Sequence, residues 1–101
     1  MISAMNSAIA GLNAAETRVG IRAQNIVNWQ SQGYQPLVPV QTSQGVGPVV
    51  KVTKAALSGD FPQVDLGEEI VDMNVAKTAY EASAKIIHTV DEMQKTLLDA
   101  V

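Results

Sequence analysis

From residue 68 to residue 101 the chain contains neither glycine nor proline. In a sequence this short, that run constrains the fold more than any other feature, because it favours one long uninterrupted helix. The start of this helix is marked. Pro62 lies upstream, Asp65 can act as N-cap, and Glu68 follows three residues later, the spacing of a capping box. Glu69 and Asp72 place negative charge near the positive end of the helix dipole. Glu81–Lys85 and Asp91–Lys95 are i,i+4 pairs in the favourable order. The expected helix covers 65–99 and is about 52 Å long at 1.5 Å per residue.

Its apolar residues fall in two stripes. One is Leu66, Ile70, Met73, Tyr80, Ala84 and Ile87. The other is Ala79, Ile86, Val90, Met93 and Leu97. The first stripe meets Lys77, Asp91 and Gln94 where apolar residues are due, so the apolar seam migrates around the helix. A helix with one straight partner does not need such a seam, whereas a helix with neighbours on two sides does.

Residues 2–28 read as a second long helix, about 40 Å in length. Ile2, Met5, Ile9, Leu12, Val19, Ala23 and Ile26 follow a 3–4 spacing, broken only by Glu16. Alanines raise its helix propensity and Ser3 is a candidate N-cap. Gly11 and Gly20 each cost roughly 1 kcal/mol against alanine, which suggests close approach of a neighbouring helix at those points. An antiparallel pair of these helices leaves the longer one overhanging, with Val90, Met93, Leu97 and Leu98 at the uncovered end. Apolar strips of that kind call for self-association or docking into a larger helical array.

Between the helices, residues 29–63 are punctuated by Gly33, Pro36, Pro39, Gly45, Gly47, Pro48, Gly59 and Pro62, which exclude a long helix. Leu37–Val40 and Val49–Val52 are β-prone, and Ser43–Pro48 reads as a turn between them. The expectation is a β-hairpin over roughly 35–54, its first strand held to an edge by Pro36 and Pro39. A lone hairpin is marginal in water, so it must lean on the helices or on a partner. Trp29 and Tyr34 flank the loop and are expected to pin it to the helix end. The expected fold is therefore mainly α: one domain over 1–101, with two long antiparallel, coiled-coil-like terminal helices joined by a short hairpin and loop segment.

Charge and residue inventory narrow the function. Residues 1–59 carry four basic side chains and one acidic, whereas residues 60–101 carry nine acidic and three basic. Opposite signs in the two halves favour antiparallel pairing within the chain or between subunits. The basic groups are too few and scattered for a nucleic-acid footprint. There is no cysteine, so disulfides and thiolate metal sites are excluded. No apolar run reaches the 18 residues of a membrane span, and no cleaved secretory signal is expected. His88 stands alone apart from Glu92 one turn on, and Glu68 and Glu69 are adjacent and so diverge, making no acid–base dyad. Gly45-Val46-Gly47 lacks the third glycine and following helix of a phosphate cradle. No catalytic, cofactor-binding or metal site is expected, and no small-molecule substrate.

Ala23-Gln24-Asn25-Ile26-Val27-Asn28, followed by Gly33-Tyr34, closely resembles the N-terminal signature of the bacterial flagellar rod and hook family, an Asn-Ile-Ala-Asn helix end followed by Gly-Tyr. Ser7 through Arg18 resembles that family's opening helix. Val64-Asp65-Leu66-Gly67-Glu68-Glu69-Ile70-Val71 is similar to its Val-Asp-Leu-x-Glu-Glu-Met-Val helix start. Ala79-Tyr80-Glu81-Ala82-Ser83-Ala84-Lys85 is similar to its Ala-Tyr-Glu-Ala-Asn-Ala-Lys continuation. The resemblance covers both helices, about two-thirds of the chain. Asn25 and Asn28 can bond nearby backbone as the helix ends, and Gly33 permits a positive-φ turn. The resemblance implies a structural subunit of the periplasmic basal-body rod, exported without a cleaved signal through the flagellar type III apparatus. Its implied partners are itself and other rod and hook proteins. The expected assembly residues are the apolar ones of the stripes: Ile2, Met5, Ile9, Leu12, Val19 and Ile26 on the first helix, and Leu66, Ile70, Met73, Tyr80, Ile86, Ile87, Val90, Met93 and Leu97 on the second. The rival reading is a small homo-oligomeric helical binding module or export-system adaptor related to rod proteins.

Overall fold

The computed structural model describes residues 2–31, 34–45, 47–54 and 65–100. Its elements are helix α1 (Ile2–Val27), strands β1 (Leu37–Gln44) and β2 (Gly47–Lys54), and helix α2 (Leu66–Asp99). The helices run antiparallel, Arg18 and Arg22 of α1 meeting Asp72 and Glu69 of α2. Asp65 caps α2 as expected: its carboxylate accepts from the Glu68 N–H at 3.2 Å. Ser3, by contrast, lies inside the first turn of α1 rather than before it. The i,i+4 pair Asp91–Lys95 closes at 3.3 Å on the surface, an interaction of little consequence for stability. Gly33, and the segment holding Gly59 and Pro62, lie outside the described residues.

The hairpin lies within the expected span, but its strands are longer and its turn tighter than the sequence suggests. Gln44 pairs with Gly47, leaving a two-residue loop whose first member, Gly45, has φ +51°. Two-residue hairpin turns need that left-handed geometry, which glycine supplies without strain. In the same register Pro39 faces Val52 and Pro48 faces Ser43. Counting alternate pairs back from the turn, both prolines occupy non-hydrogen-bonded pairs, where the missing N–H would have pointed outward. Each proline therefore removes a donor from an outer edge and costs the hairpin nothing, which blunts edge-to-edge pairing.

The three layers are hairpin, α1 and α2, with α1 in the middle; among the described residues the hairpin packs on α1 and not on α2. Its approach is close: a Cβ on Gly47 would sit 2.9 Å from the Ala10 Cβ and 3.4 Å from the Ser7 carbonyl oxygen. Close approach also defines the helix pair. A Cβ on Gly11 would lie 2.6 Å from the Ser83 Oγ, so α1 and α2 meet there at small residues, as the sequence suggested. Gly20 is different: among the described residues nothing lies within 4 Å of its Cβ position, and the expected close approach is not made there.

The buried apolar residues are Ala8, Ala14, Ala15 and Ile21 of α1 and Ala76 and Val90 of α2. Four of these six are alanine, so burial contributes far less than a core of leucines would. Val90 is a correction, since α1 reaches far enough to cover it, while Met93, Leu97 and Leu98 beyond it are exposed. The molecule is long and thin, 66 × 23 × 13 Å, with a radius of gyration of 17.6 Å, against about 13 Å for a compact domain of this length. Its accessible surface is 6781 Å², where a compact monomer of this mass exposes about 5500 Å².

The two helix glycines should respond differently to alanine. Gly20→Ala should raise monomer stability by up to about 1 kcal/mol, the propensity gain alone. Gly11→Ala should gain less, because the Ser83 hydroxyl must turn aside, and Ser83→Ala should restore the difference. Gly11→Leu should cost about 1–3 kcal/mol by prising the helices apart. Urea melts followed by circular dichroism at low protein concentration measure all four.

Candidate assembly interface

Where α1 ends, a polar cluster joins α1, the loop after it, β1 and α2. Asn25 is fully buried and is the largest fully buried side chain of the described residues. Its amide donates to the Leu37 carbonyl at 2.8 Å and to the Glu69 Oε1 at 3.1 Å. Its Oδ1 accepts from the Leu37 N–H at 2.9 Å and from the Tyr34 hydroxyl at 2.8 Å. An asparagine side chain offers two donors and two good acceptor positions, so its capacity is filled. The pair of bonds to Leu37 mimics a neighbouring strand at the outer edge of β1. Tyr34 thus pins the loop to the helix end as expected, whereas Trp29 is 40% exposed. Asn28 bonds its own helix end, donating to the Gln24 carbonyl and accepting from the Ser31 hydroxyl. The local role expected of both asparagines holds for Asn28 alone; Asn25 reaches across the fold.

Glu69 is 5% exposed and receives the Arg22 Nη1 at 3.1 Å on both carboxylate oxygens. Asp72 receives the Arg22 Nε at 2.6 Å and the Arg18 Nη2 at 2.8 Å. These pairs realise the charge asymmetry of the two halves. They sit one turn apart on each helix, the spacing that stacks residues on one face. Burial alone would raise the Asp72 pKa, but the hydrogen bonds and charges of Arg22 and Arg18 outweigh it and hold the carboxyl below its ordinary value. Burial opposes the Arg22 charge, and the bonds and charges of Asp72 and Glu69 overcome it, raising that pKa. Burial first, then the charge of Glu69, raises the Tyr34 phenol, which keeps the donor that Asn25 needs.

The seam between the helices runs between the two predicted stripes of α2 until it meets Val90 of the second. Glu69, Ala76, Ser83 and Val90 face α1, at steps of seven residues. Leu66, Met73 and Ile87 are half-buried on one side of that line. Ile70 and Tyr80 on that side and Ile86 and Met93 on the other are exposed, as is Leu97, which continues the line beyond Val90. On α1 the seam follows Ala8, Gly11, Ala15, Arg18, Arg22 and Asn25. Met5, Leu12, Val19 and Ile26 lie half-buried along its margin, and Ile2 and Ile9 are exposed. A groove of about 580 Å³ between the helices is lined by Glu16, Val19, Met73, Asn74, Lys77 and Tyr80. Hydropathy could not have located the seam, because small and charged residues carry no apolar signal.

His88 and Glu92 pair at 3.1 Å, both largely exposed, and no group of three or more metal-binding side chains occurs among the described residues. No described helix is long and apolar enough to cross a membrane.

Removing the Asn25 amide strands four partners. Asn25→Ala should cost about 2–3 kcal/mol in a urea melt. Asn25→Asp should cost more, because it sets an acceptor against the Leu37 carbonyl and the Glu69 carboxylate. Because Asp72 titrates lower in the fold than in the unfolded chain, its contribution is complete at neutral pH. It is lost as pH falls below about 4. Asp72→Asn should lower stability at pH 7 and flatten the acid limb of the stability–pH curve; an unchanged limb would contradict this assignment.

Comparison with known families finds one profile, described as flagellar basal body rod FlgEFG protein C-terminal, matching residues 61–100. No curated protein matches the chain. The matched region holds all of α2 with its Asp65 cap and both acidic members of the polar cluster, Glu69 and Asp72. Residues 61–100 are thus similar to the C-terminal segment of flagellar basal-body rod proteins, which supports a relation to the flagellar rod and hook family and a structural role.

Proposed function

We propose that this protein is a structural subunit of the bacterial flagellar basal-body rod and that it self-assembles through its terminal helices into a helical axial array. One observation carries the reading: both long helices leave an apolar flank uncovered along their length. Ile2, Ile9 and Val27 of α1 and Val71, Val75, Ile86, Met93 and Leu97 of α2 are all exposed. Scattered exposed apolar residues are ordinary, but aligned strips on a thin molecule with an alanine core mark a surface that another protein covers. The one-sided hairpin, prolines on its edges, directs association to the helices rather than to strand pairing.

In this reading the partners are further copies and other rod and hook proteins, and delivery is by the flagellar type III apparatus without a cleaved signal. The protein works by packing alone; the polar cluster sets the relative register of α1 and α2 so that the two outer flanks are presented in fixed alignment. The apolar stripe residues are then the assembly residues.

A deletion strain of the source bacterium tests this. Electron microscopy of purified basal bodies should show rods that are missing or shortened, with swimming lost and restored by the intact gene. Full-length rods and normal swimming without the protein would refute the assignment.

A further inference from the structure

We infer that successive copies meet head to tail: the open flank of α1 in one copy, around Gly20, lies against an uncharged strip of α2 in the next, around Ala79. This contact rests on the subunit reading above and goes further by naming the mating surfaces.

The strip on α2 runs from Val71 through Val75, Ala79, Ala82, Ile86, Thr89 and Met93 to Leu97, at helical steps of three and four. Every one of these residues is exposed. No charged residue lies on this arc between its ends; Lys77, Glu81, Lys85, Glu92 and Lys95 occupy the opposite arc of the helix. Threonines at its margin are quiet as well. Thr78 and Thr96 donate their hydroxyls back to the Asn74 and Glu92 carbonyls of their own helix, at 3.1 and 3.0 Å. A continuous uncharged strip about 40 Å long fits an apolar partner helix of the same length.

The chain contains such a helix. α1 is 26 residues long, and the strip from residue 71 to 97 is matched to it within one residue. The open flank of α1 includes Ile2, Ile9, Gly20 and Val27, with Glu16 its one charge. Setting Ile2 opposite Leu97, antiparallel as the helices already run within one chain, brings Gly20 opposite Ala79 and Val27 opposite Val71. Two small residues then meet where the helices approach most closely. The same alignment brings Glu16 within a turn of Lys85 at the rim of the strip. Gly20 has no described residue of its own chain near its Cβ position, and this contact would give it a neighbour.

Position decides the symmetry. Glu16 and Val19 border the groove shared with Met73, Lys77 and Tyr80 on one side of the helix pair, whereas the α2 strip lies on the other side. A two-fold contact joins one patch to itself and leaves the second flank bare, whereas a head-to-tail contact uses both and repeats. Two different flanks on opposite sides of one molecule favour the repeating arrangement.

The chain has no cysteine, so engineered disulfides report this contact cleanly. The full-length Gly20→Cys, Ala79→Cys double variant is oxidised under conditions where the wild type sediments as larger species. A ladder of dimers, trimers and longer products is expected, with neither single variant forming more than a trace of dimer. Ala79→Cys alone giving dimer would show a two-fold α2 contact and overturn the head-to-tail inference. Wild type that associates while the double variant gives no ladder would overturn it too, leaving the subunit reading intact. Wild type that neither associates nor occurs in basal bodies would remove the subunit reading itself, and this contact with it. As a second measure, Gly20→Leu should keep the helical circular dichroism of the monomer yet weaken association by at least about tenfold. Unchanged association of that variant would also overturn the contact.

Discussion

Asn25 decides how this chain folds up. Beyond the polar cluster the described seam is mostly alanine, glycine and serine, with Val90 near its far end, so apolar contact there buries little area. Within it one fully buried amide bonds at the same time to the loop, to the first strand and to α2. Because all of its capacity is used, the arrangement is stable only in one register; shifting either helix by a residue would strand Leu37, Tyr34 or Glu69 in a water-poor site. Glu69 extends the same logic outward, since it is tied to Asn25 on one side and to Arg22 on the other.

The cluster sits at one end of the helix pair and the small-residue seam runs away from it. Ionic and amide contacts hold the end where α1 stops and α2 starts. Towards the other end the helices meet through Gly11, Ser83, Ala8 and Val90, close together but with little area buried. A narrow seam between two wide helices has a geometric consequence. The larger apolar side chains cannot fit between the axes, so they are displaced to the two flanks. The features that make the molecule thin are those that leave its larger apolar side chains exposed. The sparse core and the exposed flanks fit the subunit reading proposed above, in which contacts between copies would supply burial that the single chain lacks.

Several parts of this fold could be read directly from residues. The Asp65 cap, the uninterrupted α2, the helical character of 2–27 and the hairpin between prolines all depend on interactions within about four residues, or on glycine and proline acting alone. The migrating seam on α2 was legible as two stripes. What could not be read was that α1 would settle between those stripes rather than on one of them. The residues that decide it, Gly11, Ala76 and Ser83, are distinguished by being small, and smallness reads as low hydropathy rather than as contact. Asn25 was equally opaque. In the sequence it is one of two similar asparagines at a helix end, and only the return of Leu37 and Glu69 to the same place separates its role from that of Asn28.

By itself, then, the sequence determined the two terminal helices, their ends, the hairpin region, the opposed charge of the halves and the resemblance to rod proteins. Each is a property of neighbours along the chain or of composition. The tertiary structure alone decided which faces meet, which amide is buried, that the hairpin rests on α1 and not on α2, and which apolar flanks stay open. Those outcomes depend on how closely two backbones can approach, a distance set by pairs of small side chains far apart in sequence.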